Sequence, residues 1–245
     1  IMTCKINADT SDGLKIVSDT SGAVDIQSNG TTKVTIDANG NVNTVGQVST
    51  TDNGTIVTRQ NAKPLIINGD MNVAQRGTSK TGHVGGGYST LDRWRFDVNT
   101  CGTWTIAQTA SAPDGTGLTN SFRVDCTTAD ASPAAGDYAI YGTRLEGQDV
   151  QLFKKGTSSA EKMTVSFWVK SNKTGTYIME IDDNDNARNI NQAYTISSAN
   201  TWEKKVLSFA GDTTGAFGND NGDSLRLNWW LGSGTNFSSG SLQTS

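Results

Sequence analysis

The sequence predicts an all-β protein: a run of short hairpins followed by a jelly-roll-type β-sandwich. Three observations carry that expectation. Glycine follows Asp, Ser or Asn at Asp12-Gly13, Ser21-Gly22, Asn29-Gly30, Asn39-Gly40 and Asn53-Gly54, and such pairs supply the positive φ that tight hairpin turns need. Short runs of alternating apolar and polar residues lie between these turns. Apolar residues other than glycine make up 34% of the 245-residue chain, against about 38–43% in ordinary globular domains once their roughly 7% of glycine is set aside. Yet β-branched and aromatic residues persist in short runs, with six Trp among them, and disordered chains avoid both kinds.

The first region spans residues 1–58. Its runs are Leu14-Lys15-Ile16-Val17, Val24-Asp25-Ile26, Lys33-Val34-Thr35-Ile36 and Asn41-Val42-Asn43, and its first four turn glycines lie 9, 8 and 10 residues apart. That near-repeat reads as a meander of minimal hairpins. Each hairpin has two or three apolar side chains to bury, and an isolated hairpin is marginal in water. Winding three copies about an axis would let each apolar edge face its own equivalents. Residues 59–67 read as a joint, because Pro64 lacks a backbone donor and holds its neighbour extended. Residues 68–245 read as the sandwich. Strand-like runs cover 93–98, 103–107, 121–126, 139–141, 163–170, 176–181, 193–196, 204–209 and 225–231, with one short helical turn within 146–154.

Composition narrows the function classes. A formal net charge of −4 argues against nucleic-acid binding, which calls for a basic face. No apolar run approaches the roughly 20 residues a spanning helix needs, so no membrane insertion is expected. Ile1 precedes Met2, so the sequence reads as processed or as a segment of something longer. Cys4, Cys101 and Cys126 are too widely spaced for a structural zinc site. Cys101 and Cys126 are expected to be free thiols, with a disulfide between them as the alternative.

Several stretches resemble known virion proteins. Residues 18–32, Ser-Asp-Thr-Ser-Gly-Ala-Val-Asp-Ile-Gln-Ser-Asn-Gly-Thr-Thr, together with Ile36-Asp37-Ala38-Asn39-Gly40-Asn41-Val42, resemble shaft repeats of phage fibre proteins. Asn68-Gly69-Asp70-Met71-Asn72-Val73-Ala74-Gln75-Arg76-Gly77, then Tyr88-Ser89-Thr90-Leu91-Asp92-Arg93-Trp94, resembles the entry to a β-sandwich of phage tail fibres. Val165-Ser166-Phe167-Trp168-Val169-Lys170-Ser171 resembles a later strand of that domain. The resemblance implies a homotrimeric shaft and a sandwich shaped like carbohydrate-binding modules. It also implies at least one closing strand beyond the Trp229-Trp230 run, from this chain or a neighbour. From chemistry alone, Arg93 between Asp92 and Trp94 suits a bidentate clamp of the first strand onto a turn. Gln75-Arg76 supplies a second polar anchor beside a bend.

Catalysis finds little support in the sequence. The single histidine, His83, falls in Thr81-Gly82-His83-Val84-Gly85-Gly86-Gly87, which reads as a flexible loop unable to hold a base in place. No GxSxG or HExxH occurs, and the glycine run lacks the GK[ST] of a phosphate loop. No catalytic carboxylate pair can be picked out. Asp182-Asp183-Asn184-Asp185-Asn186 opens like a calcium loop, but Ala187 and Ala193 stand where Gly and Glu are needed. It reads as a solvated hairpin tip; no metal and no cofactor is expected.

Alternation places Val165, Phe167 and Val169 on one face and Trp168 on the other. It likewise groups Leu225, Leu227, Trp229 and Leu231 against Arg226, Asn228 and Trp230. If the aliphatic sets are core, then Trp168, Arg226, Asn228 and Trp230 are surface residues of the kinds that hold pyranose rings. The competing reading packs these tryptophans under loops or against another subunit. The functional expectation is a non-enzymatic fibre on the tail or capsid surface of a phage-like virion. Its partners would be copies of itself, other virion proteins and a host-surface glycan. A capsid-decorating or tail-accessory scaffold and a secreted carbohydrate-binding module are the alternatives.

Overall fold

The structure is a computed structural model that describes residues 22–44, 49–50, 54–55, 65–238, 242 and 244. The chain divides into two units, Ile1–Lys63 and Pro64–Ser245. The Asp12-Gly13 turn, the 14–17 run, Cys4 and residues 59–64 of the joint lie outside the described residues.

In the first unit, β1 (Val24–Ser28), β2 (Thr31–Ile36) and β3 (Val42–Thr44) form an antiparallel meander in the order β1-β2-β3. Asn29 and Gly30 make the first turn with φ of 52° and 70°. That pair of positive values matches the right-handed twist of the flanking strands. Asp37 organises the second turn. Its carboxylate accepts the backbone N–H groups of Asn39 and Asn41 and the Asn41 amide, each at 2.9 Å. The Asn41 side chain and then its backbone N–H are the main causes that hold the Asp37 carboxyl below its ordinary pKa. Two further short strands, β4 (Ser49–Thr50) and β5 (Gly54–Thr55), pair antiparallel.

The two faces of the meander differ sharply. Pairing sets Val24 opposite Ile36, Ile26 opposite Val34 and Ile36 opposite Val42, so these five aliphatic residues share one face. Asp25, Thr32 and Thr35 lie on the other, where the Asp25 carboxylate accepts the Thr35 hydroxyl at 2.6 Å and the Thr32 hydroxyl at 3.3 Å. On the polar face Gln27, Thr32, Thr35 and Asp25 hydrogen-bond to one another. On the aliphatic face Ile26 is 52%, Ile36 38% and Val42 63% exposed.

The second unit is all-β apart from short turns of helix. Its strands are β6 (Ser79–His83), β7 (Trp94–Asn99), β8 (Thr103–Thr109), β9 (Ser121–Thr128), β10 (Tyr138–Glu146), β11 (Met163–Val169), β12 (Gly175–Asp183), β13 (Arg188–Ile196), β14 (Glu203–Phe209) and β15 (Asp223–Ser233). A helical turn α1 (Gly147–Val150) runs into a 3-10 turn at Gln151–Phe153, within the stretch expected to be helical. A second turn, α2, covers Thr235–Ser238. Among the described residues no helix is long and apolar enough to cross a membrane.

One layer is a five-stranded antiparallel sheet in the order β13-β12-β15-β10-β7. The opposite layer consists of the β6-β8-β9 sheet and the β11-β14 pair. The tryptophan-rich strand β15 is central, bonded to β10 and β12, so a further closing strand would have to add elsewhere. Trp229 fills the middle of the core, stacked on Tyr141 at 5.3 Å and met edge-on by Phe167 from β11 at 5.4 Å. Phe96, Trp104, Ile106 and Ala139 make a second cluster between β7, β10 and β8. Cys101 and Cys126 are free thiols, the first buried and the second exposed.

The entry motif is held by a residue that sequence reading passed over. Asn68 sits at φ 57°, a conformation Asn tolerates better than most residues. Its amide donates to the carbonyls of Val73 and Asp92, both at 2.9 Å, and its Oδ1 accepts the Val73 N–H at 2.8 Å. Its own carbonyl accepts the Trp94 indole N–H at 3.0 Å. Replacing Asn68 by Ala removes three side-chain hydrogen bonds at about 0.5–1.5 kcal/mol each and puts a Cβ residue in the left-handed region. Urea unfolding is expected to show a loss of about 2–4 kcal/mol. Asn68→Gly should lose less, because glycine accepts that φ. Equal stabilities for the wild type and Asn68→Ala would contradict this role.

Candidate functional site

The outward face of the five-stranded sheet brings polar and aromatic groups into ordered rows. Alternation turns Leu225, Leu227 and Trp229 inward and Arg226, Asn228 and Trp230 outward. The register of β10, β15 and β12 then aligns three rows. Ile140, Trp230 and Ile178 form the first, Gly142, Asn228 and Glu180 the second, and Arg144, Arg226 and Asp182 the third. The face therefore grades from apolar to charged across about two residue repeats.

Glu180 ties the first two rows together. Its Oε2 accepts the Asn228 amide at 2.9 Å and the Trp230 indole N–H at 3.2 Å. Burial raises the pKa of its carboxyl, and those two hydrogen bonds oppose the shift. Asp182 is also raised by burial, against the attraction of Arg226. In the third row Arg226 donates to Asp182 at 3.2 Å and to Asp223 at 2.8 Å, while Arg144 donates to the same Asp223 oxygen at 2.8 Å. Gly142 lets β15 pack close beside Asn228: an added Cβ would lie 2.2 Å from the Leu227 carbonyl oxygen and 2.8 Å from Asn228 Oδ1. Beyond the apolar row, Tyr138 and Phe237 stand edge-on to each other at 5.7 Å, and Phe237 leans on Trp230 at 5.3 Å.

Sequence alternation grouped Arg226, Asn228 and Trp230, and the structure brings them together. Trp168 does not join them. Its neighbour Phe167 points inward against Trp229, so Trp168 faces out from the opposite layer, 36% exposed beside Lys204. Alternation tells which side of its own strand a residue occupies but not which layer that strand joins. Glu180 and Asp182 were missed because a single outward carboxylate in a strand carries no signal until the register is known. They form the same-face acidic pair that the sequence did not reveal, and each is engaged by donors of the sheet.

The remaining site residues serve the entry motif. Arg76 pairs with Asp92 at 3.0 Å. Arg93 has φ 67° and reaches Glu146 at 3.6 Å through one nitrogen, so it makes a single ion pair and not the expected bidentate clamp. Gln75 is exposed in the turn, and Trp94 is buried at 5% exposure. His83 requires a correction as well. It ends β6, is 2% exposed and shares a hydrogen bond of 3.0 Å with the Phe96 carbonyl, so it is a core residue and not part of a flexible loop. The 182–186 segment does span a hairpin tip between β12 and β13, but Asp183 within it is buried, at 4% exposure. Among the described residues no three His, Cys, Asp or Glu side chains converge as metal ligands.

No family model matches the chain. No curated protein matches it either. Among solved structures it is similar to the crystal structure of the enzymatically active domain of bacteriophage CBA120 tailspike protein 4. That match has a TM-score of 0.39 and 15% identity, covering 69% of this chain and 19% of that one.

Proposed function

We propose that this protein is a structural fibre component of a phage-like virion. Its N-terminal hairpins assemble as a trimer, and its sandwich presents the outer face of the five-stranded sheet to a host-surface glycan. The observation that carries the reading is the two-sided meander of residues 24–44. It links Asp25, Thr32 and Thr35 by hydrogen bonds on one face and exposes Ile26, Ile36 and Val42 on the other. Three large aliphatic residues exposed together on one face of so small a sheet mark an association surface, and identical copies would cover it. The fibre-like repeats in the same residues give that partner its context.

The outer face supports the attachment role. Trp230 and Phe237 offer aromatic surface for sugar C–H patches, while Asn228, Glu180 and Arg226 offer donors and acceptors for hydroxyls. Three copies on one fibre turn weak single sites into avid binding. The role is binding without chemistry, since Glu180 and Asp182 hold Asn228, Trp230 and Arg226 in place.

A glycan array read with the wild type and Trp230→Ala tests the attachment role. At least a tenfold loss of signal is expected in the variant on every glycan the wild type retains. Equal signals, or no binding by either protein, would remove the sugar site. Release of shorter saccharides from a bound glycan would instead make the acidic pair catalytic. A monomeric chain with glycan affinity would favour a free carbohydrate-binding module, and a trimer that binds no glycan would favour a virion scaffold.

A further inference from the structure

A lysine ammonium occupies a cage of oxygens at one end of the sandwich. Lys155 follows the 3-10 turn, and its side chain is 7% exposed. Its Nζ lies 2.7 Å from Asp183 Oδ2, 3.1 Å from Asp212 Oδ2, 2.7 Å from the Thr214 carbonyl and 2.6 Å from the Gly215 carbonyl. The Phe217 ring closes another side, with its centroid 5.4 Å away. An ammonium has three hydrogens, and four oxygens surround this one. Two carboxylates and two consecutive backbone carbonyls are the hard oxygen donors that calcium selects, at distances only slightly longer than its usual 2.3–2.6 Å or so.

The cage is built and not incidental. Asp183 Oδ1 accepts the backbone N–H groups of Asp185 and Asn186, and the Asn186 amide bridges Asp183 Oδ2 to the Ala216 carbonyl. Arg188 holds Asp212 from outside at 2.8 Å. Three segments meet here without slack: a Cβ on Gly156 would lie 2.6 Å from Ala216 N, and one on Gly215 2.6 Å from the Asn186 side chain. The calcium-like opening at Asp182 therefore contributes a real cation ligand, Asp183, but the cation belongs to the chain.

We propose that this cage is a calcium-type site whose cation is the Lys155 ammonium, and that removing the ammonium leaves a site that takes up Ca²⁺. The wild type then needs no divalent ion to hold the 154–156, 183–188 and 212–217 segments together. This inference is independent of the fibre reading.

Thermal melting of the 245-residue chain tests it, with wild type, Lys155→Ala and Lys155→Met in chelator, millimolar Mg²⁺ and millimolar Ca²⁺. The wild type should melt at one temperature in all three. Leaving the buried Asp183 carboxylate without its ammonium should lower the Lys155→Ala melting point by about 6–20 °C in chelator. Ca²⁺ should restore at least half of that loss and Mg²⁺ much less, because Mg²⁺ demands a tighter octahedral shell. Lys155→Met fills the channel without charge and should fall without responding to Ca²⁺. Adding Asp212→Asn to Lys155→Ala should abolish the response. If Lys155→Ala folds only with Ca²⁺ present, that also supports the proposal. A variant that melts like the wild type, ignores Ca²⁺, or stays insoluble with and without Ca²⁺ overturns it.

Discussion

Changing both Ile26 and Ile36 to Asp is expected to turn an assembled protein into monomers, while the sandwich keeps its melting point. The two residues lie on adjacent strands of the same aliphatic face, beside Val24, Val34 and Val42. Burying such a side chain fully contributes about 1.5–3 kcal/mol. Ile26 and Ile36 still expose 52% and 38% of their surface in the single chain. Much of their contribution therefore awaits a partner. A carboxylate at either position would have to enter an apolar interface without a counter-charge, at several kcal/mol per ion. Each trimer would carry six of them, enough to prevent assembly at micromolar concentration. The sandwich is a compact unit of its own, Pro64–Ser245, separate from the unit that carries Ile26 and Ile36, so its unfolding is not expected to follow the change. Light scattering and calorimetry on the double variant read both quantities. A double variant of unchanged mass would place the self-association elsewhere.

Trp229→Ala is expected to cost the sandwich about 3–5 kcal/mol, the range for emptying a large aromatic site in a core. Trp229 is 3% exposed and touches rings from three other strands: Trp94 on β7 at 5.8 Å, Tyr141 on β10 at 5.3 Å and Phe167 on β11 at 5.4 Å. The last of these joins the two layers, so the cavity would open at the centre of the fold. Trp229→Phe makes an informative contrast. The Trp229 indole N–H is buried without a hydrogen-bond partner, and removing such a donor is favourable. Phe should therefore cost clearly less than Ala despite its smaller ring, because the cavity it leaves is smaller and the unpaired donor is gone. Denaturant unfolding of the two variants separates the contributions. Similar losses for Phe and Ala would mean that the ring contacts contribute little.

The sequence made much of this fold readable because its strands alternate. Each of the nine expected runs in the second unit lies in or overlaps a strand, and the inward set Leu225, Leu227 and Trp229 was legible from period two alone. The failures have physical causes. Strand β6, Ser79-Lys80-Thr81-Gly82-His83, carries no apolar residue, and its lone histidine is buried by pairing with β8 rather than by its own pattern. Strands β10 and β13 extend well past the expected 139–141 and 193–196, because Arg144 and Asn191 point outward and Arg188 stands at the exposed hairpin end of β13, so that all three look like loop residues. The candidate site was half legible. Trp230, Asn228 and Arg226 share one strand and so share a face, whereas Glu180 reaches them only through the β12–β15 register. Trp168 was misgrouped for the same reason, since membership of a layer is a long-range property. Asn68 and Lys155 gave no warning, because their partners lie elsewhere in the chain: Asp92 for the first, and Asp183 and Asp212 for the second.

The reading as a fibre depends on the partly exposed aliphatic face of residues 24–44 being covered by equivalent chains. Native mass spectrometry of the 245-residue protein tests that most directly. The prediction is a dominant species at three times the 25.9 kDa chain mass, with backbone amides of β1–β3 protected from hydrogen exchange. A 25.9 kDa species at micromolar concentration, with those strands equally protected, would show that the segment folds alone and would contradict the account.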